Sequence, residues 1–225
     1  MEQAATNPAS APVQMDKKEA KYRLLQPNFI TPEECLGLIK LVEEHGEIGD
    51  GYGGNPHPHT MTETFGGYSF EGRKRTKPKL APGHKEALAI MLKARNLVRS
   101  HFRLPFLWLD YGHLVFREPI ESGADETEDF SHPWHFDNQT DKHRTHTAIL
   151  YLNEEFEGGL TRFKETDFGP YREIRPEAGK LAAFDVDKNA HGVSKLLSGK
   201  RYVLNMWFST HWKMFRRHRR IFKHL

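Results

Sequence analysis

From residue 106 onward the chain breaks into short apolar segments with turn residues between them, and this punctuation limits the available folds more than any other feature. FLWLDYGHLVFRE (106–118), THTAILYLN (145–153), GLTRF (159–163), KLAAFD (180–185), AHGVSK (190–195) and KRYVLNMWFS (200–209) are rich in β-branched and aromatic residues. Gly, Pro, Asn or Asp separates them, which is the pattern of many short strands. Glu157-Gly158-Gly159 reads as a hairpin turn.

The first half has a different grammar. Residues 1–20 are Ala, Pro, Ser, Gln and charges without periodicity, and are expected to be disordered. YRLLQPNFI (22–30) reads as a strand. Thr31-Pro32-Glu33-Glu34 then supplies a helix N-cap, a proline at the first helical position and a capping-box glutamate. Leu36, Ile39, Leu41 and Val42 give that helix an apolar face. GDGYGGNPHPHT (49–60) is a glycine/proline loop. A second helix is expected over about 83–102, with Leu88, Met91, Leu92, Arg95 and Val98 in its rows. Two helices followed by many short strands predict a mainly β protein with N-terminal helices, a sandwich or jelly roll. The expected division is a disordered segment 1–20, one domain over 21–210 and a basic C-terminal tail over 211–225.

Bulk properties narrow the setting. A chain of 225 residues can bury one substantial core. It has no apolar run of about 18 residues, so no membrane span is expected. The N-terminus lacks the apolar centre of a secretory signal, and a single cysteine, Cys35, cannot form an internal disulfide. Both features lead to the expectation of a cytoplasmic or nuclear protein, or of an endoplasmic-reticulum protein if the chain is a fragment. HWKMFRRHRRIFKHL (211–225) and GRKRTKPK (72–79) are cationic, and ESGADETED (121–129) is acidic. Solvated surface is the favoured reading of all three. A nucleic-acid patch is the sharper alternative for the tail, whose Phe215, Ile221 and Phe222 allow a short helix to dock on the core.

The chemistry concentrates near SHPWHFDN (131–138). His-x-Asp/Glu puts an imidazole and a carboxylate on one face of a strand. With one more histidine these make a facial triad suited to non-haem Fe(II), with coordination positions left open. Among 14 histidines and 30 acids the three-residue pattern occurs three times, so alone it is weak. His45-Gly-Glu47 and His84-Lys-Glu86 fall in or beside helices, whereas His135-Phe-Asp137 opens the β region. His191, after the strand KLAAFD, is a candidate third ligand and equally a partly exposed loop histidine. Arg201 lies ten residues further on, at the start of an apolar strand. An arginine directed into a barrel is costly unless it meets an anion, which a guanidinium grips bidentately. Tyr151 could add a hydroxyl to the same group, or be a core aromatic. His132, five residues before Asp137, should face away on a regular strand and be an outer or loop residue. His143 and His146 are expected to be exposed, and His113 to be a satisfied pocket or core histidine.

FITPEEC, GDGYGGNPHPHT, ETFGG, YGHLVFRE, SHPWHFDN, AILYLNEEFEGGLTRF, PEAGKLAAFD and NAHGVSKLLSGKRYVLNMWFS, spanning about 29–210, resemble the Fe(II)- and 2-oxoglutarate-dependent oxygenases. The likeness is strongest to the catalytic domain of leprecan-type prolyl 3-hydroxylases, within the prolyl 4-hydroxylase-like group. The resemblance implies a double-stranded β-helix, Fe(II) on His135, Asp137 and His191, and 2-oxoglutarate anchored by Arg201. It implies that Tyr151 helps hold the distal carboxylate and that ascorbate keeps the iron ferrous. Asn205, four residues after Arg201, would share its strand face and line the same pocket. The implied reaction is hydroxylation of an unactivated C–H bond, most readily of a prolyl residue in a protein, with succinate and CO₂ as co-products. The alternatives are hydroxylation of a free amino acid or other small molecule, and a non-catalytic binding module on a degenerate barrel. The leprecan proteins carry a cysteine-bearing N-terminal region and a retention tail, and this chain ends in Phe-Lys-His-Leu, so collagen does not follow as substrate.

Overall fold

The structure is a computed structural model that describes residues 21–49, 60–66, 83–119, 130–139, 141–165 and 170–224. The expected disordered segment, most of the glycine/proline loop and the cationic and acidic stretches at 72–79 and 121–129 lie outside these residues. In chain order the elements are β1 (Arg23–Gln26), α1 (Pro32–His45), β2 (Glu47–Ile48), β3 (Thr60–Gly66), α2 (His84–His101), β4 (Trp108–Arg117), β5 (Phe130–His135), β6 (His146–Tyr151), β7 (Phe156–Gly158), β8 (Thr161–Lys164), β9 (Tyr171–Ile174), β10 (Leu181–Asp185), β11 (His191–Ser194), β12 (Leu196–Gly199), β13 (Arg201–Ser209) and α3 (Phe215–Ile221).

α1 starts where the sequence signals it. Thr31 Oγ1 accepts from the Glu34 N–H at 3.2 Å, and the Glu34 carboxylate accepts from the Thr31 N–H at 2.8 Å. This reciprocal cap satisfies two donors that a helix start leaves open. Its buried face is Cys35, Leu38, Leu41 and Val42, while Leu36, expected to be inside, is 62% exposed. The i, i+3, i+6, i+7 spacing of the buried set excludes position 36. α2 has no side-chain cap and begins at Gly83 in the left-handed region, so packing of Leu88, Met91, Ala94 and Val98 holds it.

Among the described residues every strand pair is antiparallel. A seven-stranded sheet runs β1-β10-β6-β13-β4-β3-β2, a four-stranded sheet β5-β11-β8-β9, and β12 pairs with β7. The central strands of the large sheet are buried on both faces, and their alternation sorts two cores. Leu114, Phe116, Ala148, Leu150, Tyr202, Leu204, Met206 and Phe208 face α1 and α2. Val115, Ile149, Tyr151, Ala182, Phe184 and Val203 face the smaller sheet and meet its Phe163 and Ile174. The helices cover one side, which leaves the other free to enclose a cavity between the sheets. This is the expected mainly β fold with helices on one face.

One local expectation changes and one, the docking of a short C-terminal helix, holds. Gly158 and Gly159 both have positive φ, as a tight turn needs, yet β7 pairs with β12 and not with its sequence neighbour β8. A Cβ on Gly158 would sit 2.0 Å from the Lys195 carbonyl oxygen, so the glycine permits that crossing. The C-terminal segment docks as the short helix α3. Phe215 and His218 pack on Trp108 at ring distances of 4.9 and 5.3 Å, and Ile221 is buried.

His143 is half-buried and His146 is 6% exposed, against the expectation of surface positions. His146 lies on the helix-facing side of β6, against Phe102. Burial drops the pKa of His146 from 6.5 to about 4, and burial assisted by Arg117 drops that of His113 to about 3. Both are neutral in the native state. Once unfolded they protonate near 6.5, so between about pH 4 and 6.5 the unfolded chain binds more protons. Stability is therefore full above 6.5 and is lost as pH falls through that window, by roughly 1.4 kcal/mol per pH unit for each histidine. Urea unfolding of the metal-free protein at successive pH values should show a midpoint that falls steadily below 6.5, and less steeply in His146→Gln, where His113 still contributes. A midpoint independent of pH would contradict the burial argument.

Candidate metal centre and its cavity

β5 and β11 are neighbours in the smaller sheet, and their register places His191 directly opposite His135. Asp137 follows two residues after β5 and turns its carboxylate back between the two imidazoles. Its Oδ1 lies 3.6 Å from His135 Nε2 and its Oδ2 3.6 Å from His191 Nε2. All three ligand atoms fall within 4.8 Å of one another, and among the described residues this is the one such group of His, Cys, Asp or Glu. Donors held about 2.1 Å from one ion at right angles stand about 3 Å apart, so a small closure brings these three into a coordination shell. The other two His-x-Glu pairs form no such group.

The ring orientations suit ligation. His135 Nδ1 is 2.9 Å from the Pro133 carbonyl and His191 Nδ1 is 3.2 Å from the Asn189 carbonyl. Each carbonyl accepts the Nδ1 proton, which leaves the Nε2 lone pair aimed at Asp137. Thr147, on the inner face of β6, donates its hydroxyl to Asp137 Oδ2 at 2.6 Å. Burial alone would raise the Asp137 carboxyl pKa. His191, His135, Thr147 and the adjacent Trp207 indole outweigh it and hold the group well below the carboxylate range. The Trp207 Nε1–H favours the anion by proximity, without a hydrogen bond of good geometry. Asp137 is thus an anion at neutral pH, and His191, which burial keeps below its ordinary pKa, is neutral. His135 is shifted upward: burial opposes its charged form, but the nearby Asp137 carboxylate and the Pro133 carbonyl outweigh that effect.

His132 does not face away. The β5–β11 register pairs His135 with His191 and His132 with Val193, three residues against two. The bulge restores the odd-numbered spacing to one face, and the His132 ring meets that of His135 at 4.4 Å. β5 continues through Pro133.

These groups line a cavity of about 530 Å³ between the sheets. Arg201 lines it from β13 and is 5% exposed. Its Nε donates to the Gly159 carbonyl at 2.8 Å, and its Nη2 reaches Thr161 Oγ1 at 3.4 Å. No carboxylate among the described residues pairs with it. Burial, the main effect, lowers its pKa to about 10, so it remains a cation at neutral pH. Tyr151 lies under Arg201, 5.8 Å from ring centre to guanidinium carbon, and donates its hydroxyl to Thr161 Oγ1 at 2.7 Å. It is fully buried and meets Arg201 through Thr161. Asn205 shares the cavity face of β13 and lies opposite His113 and Ile149.

The sequence reading missed several cavity residues. Arg117 follows from alternation along β4, since Tyr111, His113, Val115 and Arg117 share the inner face. Away from Arg201, Asp110 is buried against Arg144 Nε at 3.3 Å, His143 Nε2 at 3.1 Å and Arg217 Nη1. Arg217 comes from α3, and no local signal could have predicted that convergence. Arg144 also rests on the Trp207 ring at 4.9 Å and pairs with Asp141 at 2.8 Å.

Gly159 is the tightest constraint on Arg201. Its φ is +62°, and an added Cβ would lie 2.9 Å from Arg201 Cδ and 3.2 Å from Leu196 and Phe156. Gly159→Ala should lower unfolding free energy by at least about 1–2 kcal/mol. Gly37→Ala, in α1, meets nothing within 4 Å and should stabilise by roughly 0.5–1 kcal/mol. Urea midpoints of the two variants test this contrast, and equal midpoints would contradict it.

Comparison with known proteins extends the likeness beyond geometry. Residues 124–209 match the family model of the 2OG-Fe(II) oxygenase superfamily. The chain is 33% identical over 207 residues to prolyl 3-hydroxylase 1 of Homo sapiens, covering 83% of this chain and 28% of that protein. It is 32% identical over 212 residues to prolyl 3-hydroxylase 2 of Gallus gallus, covering 83% and 30% respectively. It therefore spans less than a third of the length of the curated relatives it matches. Its fold superposes on a Pseudomonas putida prolyl-4-hydroxylase with TM-score 0.55, at 19% identity over 84% of this chain and 92% of the other. A Trichoplax adhaerens prolyl hydroxylase, solved with a hypoxia inducible factor oxygen degradation domain peptide fragment, gives TM-score 0.62 at 16% identity over 86% of each chain. These superpositions make the two facing sheets the jelly roll of that group. Residues 124–209 of the chain thus carry a domain of the 2OG-Fe(II) oxygenase superfamily.

Proposed function

We propose that the chain is a 2-oxoglutarate-dependent prolyl hydroxylase acting on a protein or peptide, with His135, Asp137 and His191 as the Fe(II) ligands and Arg201 as the anchor of the cosubstrate. The observation that carries this reading is a pairing within one cavity. Two imidazoles and an ionised carboxylate converge at one place, and a buried cation without a carboxylate partner among the described residues lines the same walls. The donor set fits ferrous iron: borderline nitrogen donors, a hard oxygen and a facial arrangement that leaves positions open. With iron bound, the centre couples oxidative decarboxylation of 2-oxoglutarate by dioxygen, yielding succinate and CO₂, to hydroxylation of a C–H bond.

The chain's own residues then have defined tasks. Arg201 grips the distal carboxylate, because a buried guanidinium gains most from a bidentate anion. The Gly159 carbonyl and the Thr161 hydroxyl fix its direction, and Tyr151 holds Thr161 from below. Asn205 lies on the same face, within reach of the cosubstrate. Thr147 fixes the orientation of Asp137, and the Pro133 and Asn189 carbonyls hold the two imidazoles. Val115, Ile149 and Val193 keep the stretch between the two ends apolar, which restricts water near the oxidising centre. No side-chain base is required, since the bond broken is C–H.

Support for a prolyl substrate comes from the names of the relatives and from the peptide in one structural neighbour. Those names make C3 of the ring the first position to examine. Ascorbate, as reductant of the iron, belongs to the same proposal. Anaerobic reconstitution with Fe(II) and 2-oxoglutarate, followed by oxygen and mass spectrometry of proline-containing peptides, tests the whole reading. Arg201→Ala should raise the 2-oxoglutarate concentration needed for half-maximal succinate release by more than about tenfold, the loss of a charge-assisted bidentate contact, with Fe(II) affinity unchanged. An unchanged requirement would remove Arg201 from the role, and stimulation by free amino acids alone would replace the polypeptide substrate.

A further inference from the structure

A further buried guanidinium, that of Arg23 in β1, lies outside the cavity walls and is 7% exposed. Its cross-strand partner is Phe184 of β10. Directly opposed residues share a sheet face, so Arg23 points with Phe184 toward the smaller sheet. There its Nε donates to Asn189 Oδ1 at 2.5 Å and its Nη1 to Glu165 Oε1 at 2.8 Å. Its guanidinium carbon lies 4.6 Å from the centre of the Phe163 ring. Asn189, Phe163 and Phe184 all lead on to His191. The Asn189 backbone carbonyl accepts the Nδ1 proton of His191, and the Asn189 amide is held further by the Asp185 and Tyr22 carbonyls at 2.7 and 3.3 Å. Phe163 is the register partner of His191 on β8, with ring centres 6.0 Å apart. Phe184 meets the His191 ring edge-on at 4.7 Å. An apolar side chain between two phenylalanines would fill the same space without the cost of burying a charge. A guanidinium fills it and also fixes the Asn189 side chain.

We propose that Arg23 is a positioning residue of the metal centre. Through Nε it fixes Asn189, whose backbone carbonyl holds the second nitrogen of His191. Through Phe163 and Phe184 it braces two of the rings packed on that imidazole. The third ligand is thereby set by the edge strand of the opposite sheet, where Arg23 stands 166 residues from Asn189 in the sequence. The inference rests on reading His135, Asp137 and His191 as the Fe(II) ligands. A partner that holds the second nitrogen of a ligating imidazole governs metal affinity by about tenfold or more. Arg23 acts one step further out, on the residue that supplies this partner.

The test is anaerobic calorimetric titration of the metal-free protein with Fe(II) alone, paired with nitrogen NMR of the metal-free protein carrying labelled histidine. Arg23→Met keeps most of the stem and removes the donors, and should weaken Fe(II) binding by about tenfold. Asn189→Ala cuts the same link from its other end and tests it even where the methionine variant does not fold. It should cost as much, and the double variant should cost no more than either single one. Arg23→Lys keeps a donor and a cation over Phe163 and should recover most of the affinity. Glu165→Gln loosens Arg23 only at its exposed end and should change the affinity by less than about twofold. In both Arg23→Met and Asn189→Ala the metal-free His191 ring should pass from one Nδ1-protonated tautomer to a mixture, which a general loss of stability in a folded protein does not produce. Unchanged Fe(II) affinity in these two variants, beside a loss in His191→Ala, overturns the inference while the ligand reading stands. Additive losses in the double variant, or an unaltered tautomer, overturn it as well and leave Arg23 a packing residue. Unchanged affinity in all of them, His191→Ala included, overturns the inference together with the ligand reading.

Discussion

The carboxylate of Asp137 is the constraint on which the rest of the architecture depends. It is an anion enclosed between two sheets, a position that costs several kcal/mol unless compensated. The compensation comes from both sides. Thr147 of the large sheet donates to it, and His135 and His191 of the small sheet present their Nε2 atoms. One group thereby ties β6 to the β5–β11 pair. Removing it would leave two imidazoles, one buried and one half-buried, facing each other with ring centres 4.2 Å apart. On the proposed function a divalent cation would complete the balance, because it would replace weak Nε2–carboxylate contacts with coordination on all three groups.

The two-faced large sheet makes that enclosure possible. Its helix-side residues are uniformly apolar along β13, from Tyr202 to Phe208, while the alternate positions Arg201, Asn205 and Trp207 carry the cavity. A one-residue slip of β13 would exchange the two sets and put a guanidinium against the helices. Register is therefore secured by the same residues that build the site. The cavity is polar at both ends: Arg201 and Arg117 at one, the Asp110–Arg144–Arg217 network at the other. Between them lie Val115, Ile149 and Val193.

Much of this was legible in the sequence where a local rule governs. The Thr31–Glu34 cap, both helices, the short-strand punctuation and the His135-x-Asp137 spacing each follow from neighbouring residues, whereas His191 joined that pair only through the family resemblance. What escaped depends on pairing between distant segments. The bulge that brings His132 to the inner face is a property of β5 and β11 together. The partner of β7 is set by β12, some forty residues later in the chain. Tyr151 obeys alternation and faces inward as expected, but Thr161 stands between its hydroxyl and Arg201. The C-terminal cations looked like a solvated tail because composition does not show that Arg217 finds Asp110. Arg117 was readable from alternation along β4, and was passed over although its strand carries the YGHLVFRE stretch of the resemblance.

The central claim is that His135, Asp137 and His191 hold one ferrous ion together. An iron-edge X-ray absorption spectrum of the anaerobically loaded protein tests it most directly, because imidazole rings leave a distinct multiple-scattering signature. Two imidazoles in a shell of nitrogen and oxygen donors, falling to one in His191→Ala, is the result expected. A spectrum that His191→Ala leaves unchanged would mean the iron sits elsewhere.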